Sequence, residues 1–305
     1  MSFIEDLNGA FPPLNVDLDV SYLVELLHYF PMDKVNISAG SYDQYLYDLE
    51  KTVIDNYDAG NFQVSFFYSH LIFMSYVYYC VERIYALFPD RTKDVFYPMN
   101  AYRGLDENGK KRGKPDLEKY NSVYDFSTIP EKDIFKLFHV MGLSDDIIKG
   151  FGAYINRRDD FAHATGIGNI SEEKLIEGVR TIKSNMDTLS ELFQQNLESC
   201  YVDFIKNHLE ADYEIIIDNF NDFVFENELS IVALNYLCHL GVANIQNSDE
   251  ELRLNYQATR NIHCAFMEYC NENDGIEFPD SYTSLCNENY LFYKYKNNAN
   301  DYIEK

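Results

Sequence analysis

Basic side chains are scarce in this sequence: 25 lysines and arginines stand against 50 aspartates and glutamates, for a formal net charge of -25. That imbalance excludes broad electrostatic capture of nucleic acid, whose phosphates demand a positive surface. Contact with RNA or DNA would have to come from a local site or from a basic surface on a partner. Other absences narrow the field further. Tryptophan is missing altogether. Strand-like alternation is nearly absent, no internal repeat is visible, and no glycine-rich loop follows a strand. The P-loop and the dinucleotide-binding fingerprint are therefore excluded. The six cysteines (Cys80, Cys200, Cys238, Cys264, Cys270 and Cys286) include no C-x-x-C pair, which fits reduced core thiols in a cytoplasmic protein. Cys238-His239 and His263-Cys264 could meet around zinc, yet their spacing is not that of a ligand set. The N-terminus MSFIEDLNGAFPP is acidic and lacks an apolar segment, so no signal peptide is expected.

What is present is a helical, aromatic-rich chain. Its 305 residues suffice for one large domain or two ordinary ones, and 46% of them are hydrophobic, a globular value. Helical periodicity predicts segments at about 19–30, stopped by Pro31, then 41–57 and 62–88, ended by Pro89. It resumes at 131–141 and 144–163. Asn169-x-x-Glu172 reads as a capping box opening a helix through 197, followed by helices at 200–223, 227–245 and 249–272. Asn61 to Val81 carries no formal charge, as a membrane span would. But Asn61, Ser65 and Ser69 recur at helical spacing, with Gln63, His70 and Ser75 nearby, which predicts a buried core helix instead. Residues 90–130 read as a loop-rich insertion around RGLDENGKKRGKPD. It holds the densest basic run, Lys110, Lys111, Arg112 and Lys114, either a solvated loop or an arm that contacts phosphate. From residue 200 onward the chain carries 6 basic against 19 acidic residues.

The stretch RRDDFAHATG, residues 157 to 166, breaks the apolar pattern of its own helix. At about 100° per residue, Ile147, Phe151, Tyr154, Ile155, Phe161 and Ala162 form one broad stripe. Arg158 falls near its middle, whereas His163 lies about 140° round from Arg158. An arginine centred on a burying face requires an anionic partner, because an unpaired buried guanidinium is very costly. Arg158 and His163 of one regular helix cannot readily address one small target. Either the helix is distorted near FAHATG or two copies of the segment face each other. The plainer alternative is an arginine paired with Asp159 or another acid, beside a surface histidine. Asp159 and His163, four residues apart, are too few to constitute a metal site.

Arg158-Asp159-Asp160-Phe161-Ala162-His163, flanked by an apolar lead-in helix and a long core helix on either side, resembles the R-x4–6-H signature of the HEPN superfamily. The resemblance covers roughly residues 55–200. It implies an all-α, HEPN-like antiparallel bundle with additional N- and C-terminal helices. The implied division is 1–57 as an N-terminal extension, 58–200 as the HEPN-like domain, and 201–305 as an acidic helical region. It further implies metal-independent cleavage of single-stranded RNA, without a cofactor, at a cleft shared by two protomers. In that scheme His163 is the general acid/base and Arg158 holds the scissile phosphate, with Asp159 and Arg157 in support. Family members are often toxins or antiviral effectors, so a cytoplasmic bacterial defence role with a regulatory protein partner is the implied setting. Some carry a Tyr two residues after the motif His as a target for antitoxin modification; here that position is Thr165. The fold also has non-catalytic members, so the alternative is an acidic helical scaffold or inhibitor that binds a basic protein.

Overall fold

A computed structural model describes residues 25–32, 43–100, 117–120, 122–162, 170–271, 275–279 and 282. The fold is all-α, with no strand among the described residues. The chain divides into two units, one of Met1–Leu27 with Gln44–Leu192, the other of His28–Asp43 with Phe193–Lys305.

The first unit is built on α1 (Gln44–Asp58) and α2 (Phe62–Leu87). Leu46, Leu49, Val53 and Tyr57, spaced three and four apart, form the buried stripe of α1. Gly60, at φ 73°, takes the left-handed conformation that the tight turn between the two helices requires. The serines of α2 are hydrogen-bonded inside the protein. Ser65 donates to the Val53 carbonyl of α1 (3.0 Å), and Ser69 and Ser75 donate to carbonyls one turn back. In its most apolar 18-residue window α2 has a mean hydropathy of 1.3, and 78% of that window is buried inside the protein. By length and composition alone it could cross a bilayer; its burial is that of a core helix.

Helix α3 (Pro89–Asn100) follows at once. The predicted loop therefore does not begin at residue 90, because proline is well tolerated at the first position of a helix and here starts a new one. The basic run Lys110, Lys111, Arg112 and Lys114 lies outside the described residues. The predicted helix at 131–141 is instead a single turn, α4 (Glu131–Ile134), continuing as a 3-10 helix over Phe135–Met141 that Gly142 closes in the left-handed region. Its side chains Phe135 and Phe138 meet Phe73 of α2 and Phe151 of α5 (Asp145–Ala162) in a stack of rings. Phe135 lies 4.8 Å from Phe151 and 6.1 Å from Phe73, centroid to centroid. Helix α6 (Glu172–Asn207) then closes against α2 at Gly178. A Cβ there would run into the Phe66 ring, so glycine is what permits the close approach.

The sequence pattern breaks α6 near residue 197, but the helix runs on. Leu197, Tyr201, Phe204 and Ile205 continue its buried stripe, and no glycine or proline interrupts it. The unit boundary lies within this helix, between Leu192 and Phe193. The rest of the second unit comprises α7 (Tyr213–Glu226), α8 (Ile231–Cys238), α9 (Val242–Ser248), α10 (Glu250–Leu254) and α11 (Tyr256–Cys270). The single segments predicted at 227–245 and 249–272 are each split. Gly241 starts α9 after His239 caps α8, and Asn255 separates α10 from α11. Pro31 forms an isolated bridge with Ser230, and the Met32 amide donates to the Leu229 carbonyl (2.9 Å). Cys238, Cys264 and Cys270 are buried and in no disulfide, as is Cys80 in the first unit; Cys200 is exposed.

At the centre of the second unit the Tyr201 hydroxyl meets His263 Nδ1 at 2.9 Å, both side chains being almost fully buried. Burial lowers the imidazole from its ordinary 6.5 to about 4, with a hydrogen bond to the Leu240 backbone pulling the other way. The unfolded chain thus takes up a proton between pH 6.5 and 4 that the folded chain refuses. His263 therefore weakens the fold as pH falls through that window and costs nothing above it. The loss expected by pH 4 is about 3 kcal/mol. Urea midpoints compared at pH 7.5 and pH 5 should fall more for the native sequence than for His263→Gln. Equal slopes would show that His263 is protonated in the folded chain.

Candidate functional site

Tyr154 and Arg158 lie one turn apart on α5 and so share a face. They meet Glu131, the first residue of α4, and His70, in the middle of α2. Arg158 Nη2 donates to Glu131 Oε2 and lies 3.4 Å from Asp159 Oδ1. The other oxygen of Glu131 faces His70 Nε2 at 3.3 Å, and His70 Nδ1 faces the Tyr154 hydroxyl at 3.1 Å. Glu131 is thus a bridge with one oxygen on the guanidinium and one on the imidazole. The Arg158 side chain is 20% exposed, whereas His70 is buried. The partner that an arginine in the apolar stripe requires is chiefly Glu131, 27 residues earlier in sequence.

The electrostatics follow from this geometry. Burial pushes the Glu131 carboxyl up, but the hydrogen bond and charge of His70, together with Arg158, outweigh it and leave the carboxyl below its ordinary value. An ionised Glu131 can only accept, so His70 Nε2–H donates to it. Burial raises the Tyr154 hydroxyl far above its usual range, so it stays protonated beside His70 Nδ1. Burial also raises Tyr78, to about 12, with Glu131 and Tyr45 adding to the rise and Arg158 opposing it. Arg158 Nε is buried and has no hydrogen-bond partner among the described residues. Lys132 Nζ lies 3.7 Å from Asp159 Oδ2, on the outer side of the cluster.

The residues singled out by sequence fare differently. Arg158 and Asp159 are together in the cluster. Arg157 is not: its Nη1 lies 3.7 Å from Glu177 of α6, and both side chains are exposed, a pairing that contributes little. His163 directly follows the last described residue of α5 and, like Lys110, Lys111, Arg112 and Lys114, lies outside the described residues. Glu131, His70 and Tyr154 are the residues that sequence reasoning did not assign to a site. The one available signal is His70, an imidazole in an otherwise uncharged segment; Glu131 is one acid among 50. Among the described residues no group of three or more His, Cys, Asp or Glu is placed to hold a metal ion. Chemically, the cluster holds a largely buried cation in one geometry, with Nη2 committed to carboxylates. Comparison of the chain with protein-family models, with curated proteins and with solved structures finds no match to any of them.

Proposed function

We propose that this chain is a metal-independent endoribonuclease that cuts single-stranded RNA in a cleft completed by a second protomer, in a bacterial toxin or anti-phage role. Arg158 and His163 form its catalytic pair. His163, as an imidazole, a side chain whose ordinary pKa is close to neutrality, accepts the proton of the RNA 2′-hydroxyl as that oxygen attacks phosphorus, or donates a proton to the departing 5′-oxygen. Arg158 holds the phosphate and stabilises the charge that develops on it. The products are a 2′,3′-cyclic phosphate and a 5′-hydroxyl. The observation that supports this reading is the support around Arg158: the cation of the R-x4-H motif is held by Glu131 and Asp159 on the helix that leads directly to His163. Arg157 and the basic run at Lys110, Lys111, Arg112 and Lys114 would supply further phosphate contacts.

The same ion pairs favour a second reading. Two carboxylates already neutralise Arg158, as they would in a non-catalytic helical scaffold whose acidic surface binds a basic protein. Incubating the purified protein with end-labelled single-stranded RNAs in EDTA separates the two. Cleavage that resists EDTA and leaves cyclic-phosphate ends is the expected result. An inert protein whose expression is harmless to the host cell would favour the scaffold.

A further inference from the structure

The nuclease reading assigns Arg158 a role but does not say what keeps its guanidinium in place. A long side chain with several rotatable bonds has to be immobilised to act on a phosphate without reorganisation. Neighbours on α5 are poorly placed for this. Asp159 is 33% exposed, makes its contact to Arg158 at 3.4 Å, and shares its carboxylate with Lys132. Glu131 comes from a different element, is itself 27% exposed, and has both oxygens engaged. The second of those oxygens is taken by His70, a side chain buried on the core helix and fixed from behind by Tyr154. His70 packs beside Phe73 and Tyr154, ring centroids 6.5 and 5.7 Å away, so the chain of hydrogen bonds is anchored in the rigid aromatic core.

We propose that Glu131 is the positioning residue for Arg158 and that His70, locked by Tyr154, positions Glu131 in turn. The four side chains are joined by three hydrogen bonds from core to site: between the Tyr154 hydroxyl and His70 Nδ1, from His70 to Glu131, and from Arg158 to Glu131. Glu131 uses one oxygen for each neighbour, so its carboxylate cannot rotate without losing one of them. Arg158 Nη2 is consumed by this support, which leaves Nη1 to meet an anion, while Nε is buried and without a hydrogen-bond partner among the described residues. This assignment rests on the nuclease reading for its functional meaning, but the restraint itself is observable without any reaction.

The test uses the full chain with two readouts. In protein labelled with ¹⁵N-arginine, the Arg158 Nε–H resonance is identified by its loss in Arg158→Lys. It is expected to be sharp and slow to exchange with water in the native sequence, and to collapse toward the mobile arginines in Glu131→Gln and in His70→Asn. Glu131→Gln preserves size and shape, so it keeps the test alive where Glu131→Ala fails to fold. In the RNA assay, Glu131→Gln is expected to lower kcat roughly 10- to 100-fold while changing KM much less, because orientation rather than binding is lost. A restrained Arg158 resonance in both variants would overturn the positioning role whatever the activity. Full cleavage by Glu131→Gln, alongside loss in Arg158→Lys, would overturn it while leaving the nuclease reading standing. A native chain that never cleaves would overturn the nuclease reading, and the resonance alone would then decide whether Glu131 holds Arg158.

Discussion

His163→Ala and Arg158→Lys are each expected to lower RNA cleavage by two orders of magnitude or more, with the fold retained. Positioned acid–base catalysis contributes about 10²–10⁴ in rate, and one preorganised donor to a developing charge about 10²–10³. Lysine is the informative replacement at position 158. It keeps the positive charge beside Glu131 and Asp159 but removes the planar fork that can hold Glu131 through one nitrogen and a phosphate through another. Arg158→Ala would leave the partly buried Glu131 carboxylate without the guanidinium it pairs with, and the resulting instability would be confused with lost chemistry. Product formation followed in EDTA, with unfolding midpoints measured alongside, separates the two effects. Native-level cleavage by His163→Ala would end the acid–base assignment. Retained activity in Arg158→Lys would show that charge alone suffices at that position.

Phe135→Ala is expected to cost about 3–5 kcal/mol, a large share of the roughly 5–15 kcal/mol that holds a typical domain together. Phe135 is fully buried, and its ring touches those of Phe73, Phe138 and Phe151. Removing it leaves a void lined by other rings, which cannot collapse inward without leaving their own contacts. The consequence reaches the site. Phe151 lies on the helix that carries Arg158, and Phe73 lies three residues beyond His70, so slack in this stack loosens the relay through Glu131. Phe135→Leu should be much milder because most of the volume remains. Tyr256, 61% exposed, provides the control: its replacement by Ala should stay within about 0.5 kcal/mol. Urea unfolding curves measure all three. A Phe135→Ala loss under about 1 kcal/mol would mean that the ring stack is not the core of the first unit.

Several features follow from the linear pattern. The charge-free run from Asn61 to Val81 becomes the buried core of α2, and the apolar spacing of 144–163 becomes α5, described through Ala162, because both are governed by a single periodicity readable along one helix. Where a segment's fate depends on what it packs against, the pattern is insufficient. The break assigned near residue 197 is absent, since Leu197, Tyr201 and Phe204 find buried positions that keep the helix worthwhile across a polar interval. Phe135–Met141 has helical spacing yet winds as a tighter 3-10 helix that ends in Gly142. Pro89 marks the end of one helix in the sequence and also opens the next.

By itself the sequence determined the all-α fold, the burial of the long aromatic helix, and the requirement that Arg158 meet an anion. These follow from local spacing and from the cost of burying an unpaired charge, both indifferent to the rest of the chain. The identity of that anion was decided only by tertiary structure. Glu131 is 27 residues away from Arg158, and His70 is 61 residues before Glu131, so no spacing rule links them. Three elements had to pack around the Phe73, Phe135 and Phe151 rings before one carboxylate, among 50 acidic side chains, came to bridge the imidazole and the guanidinium.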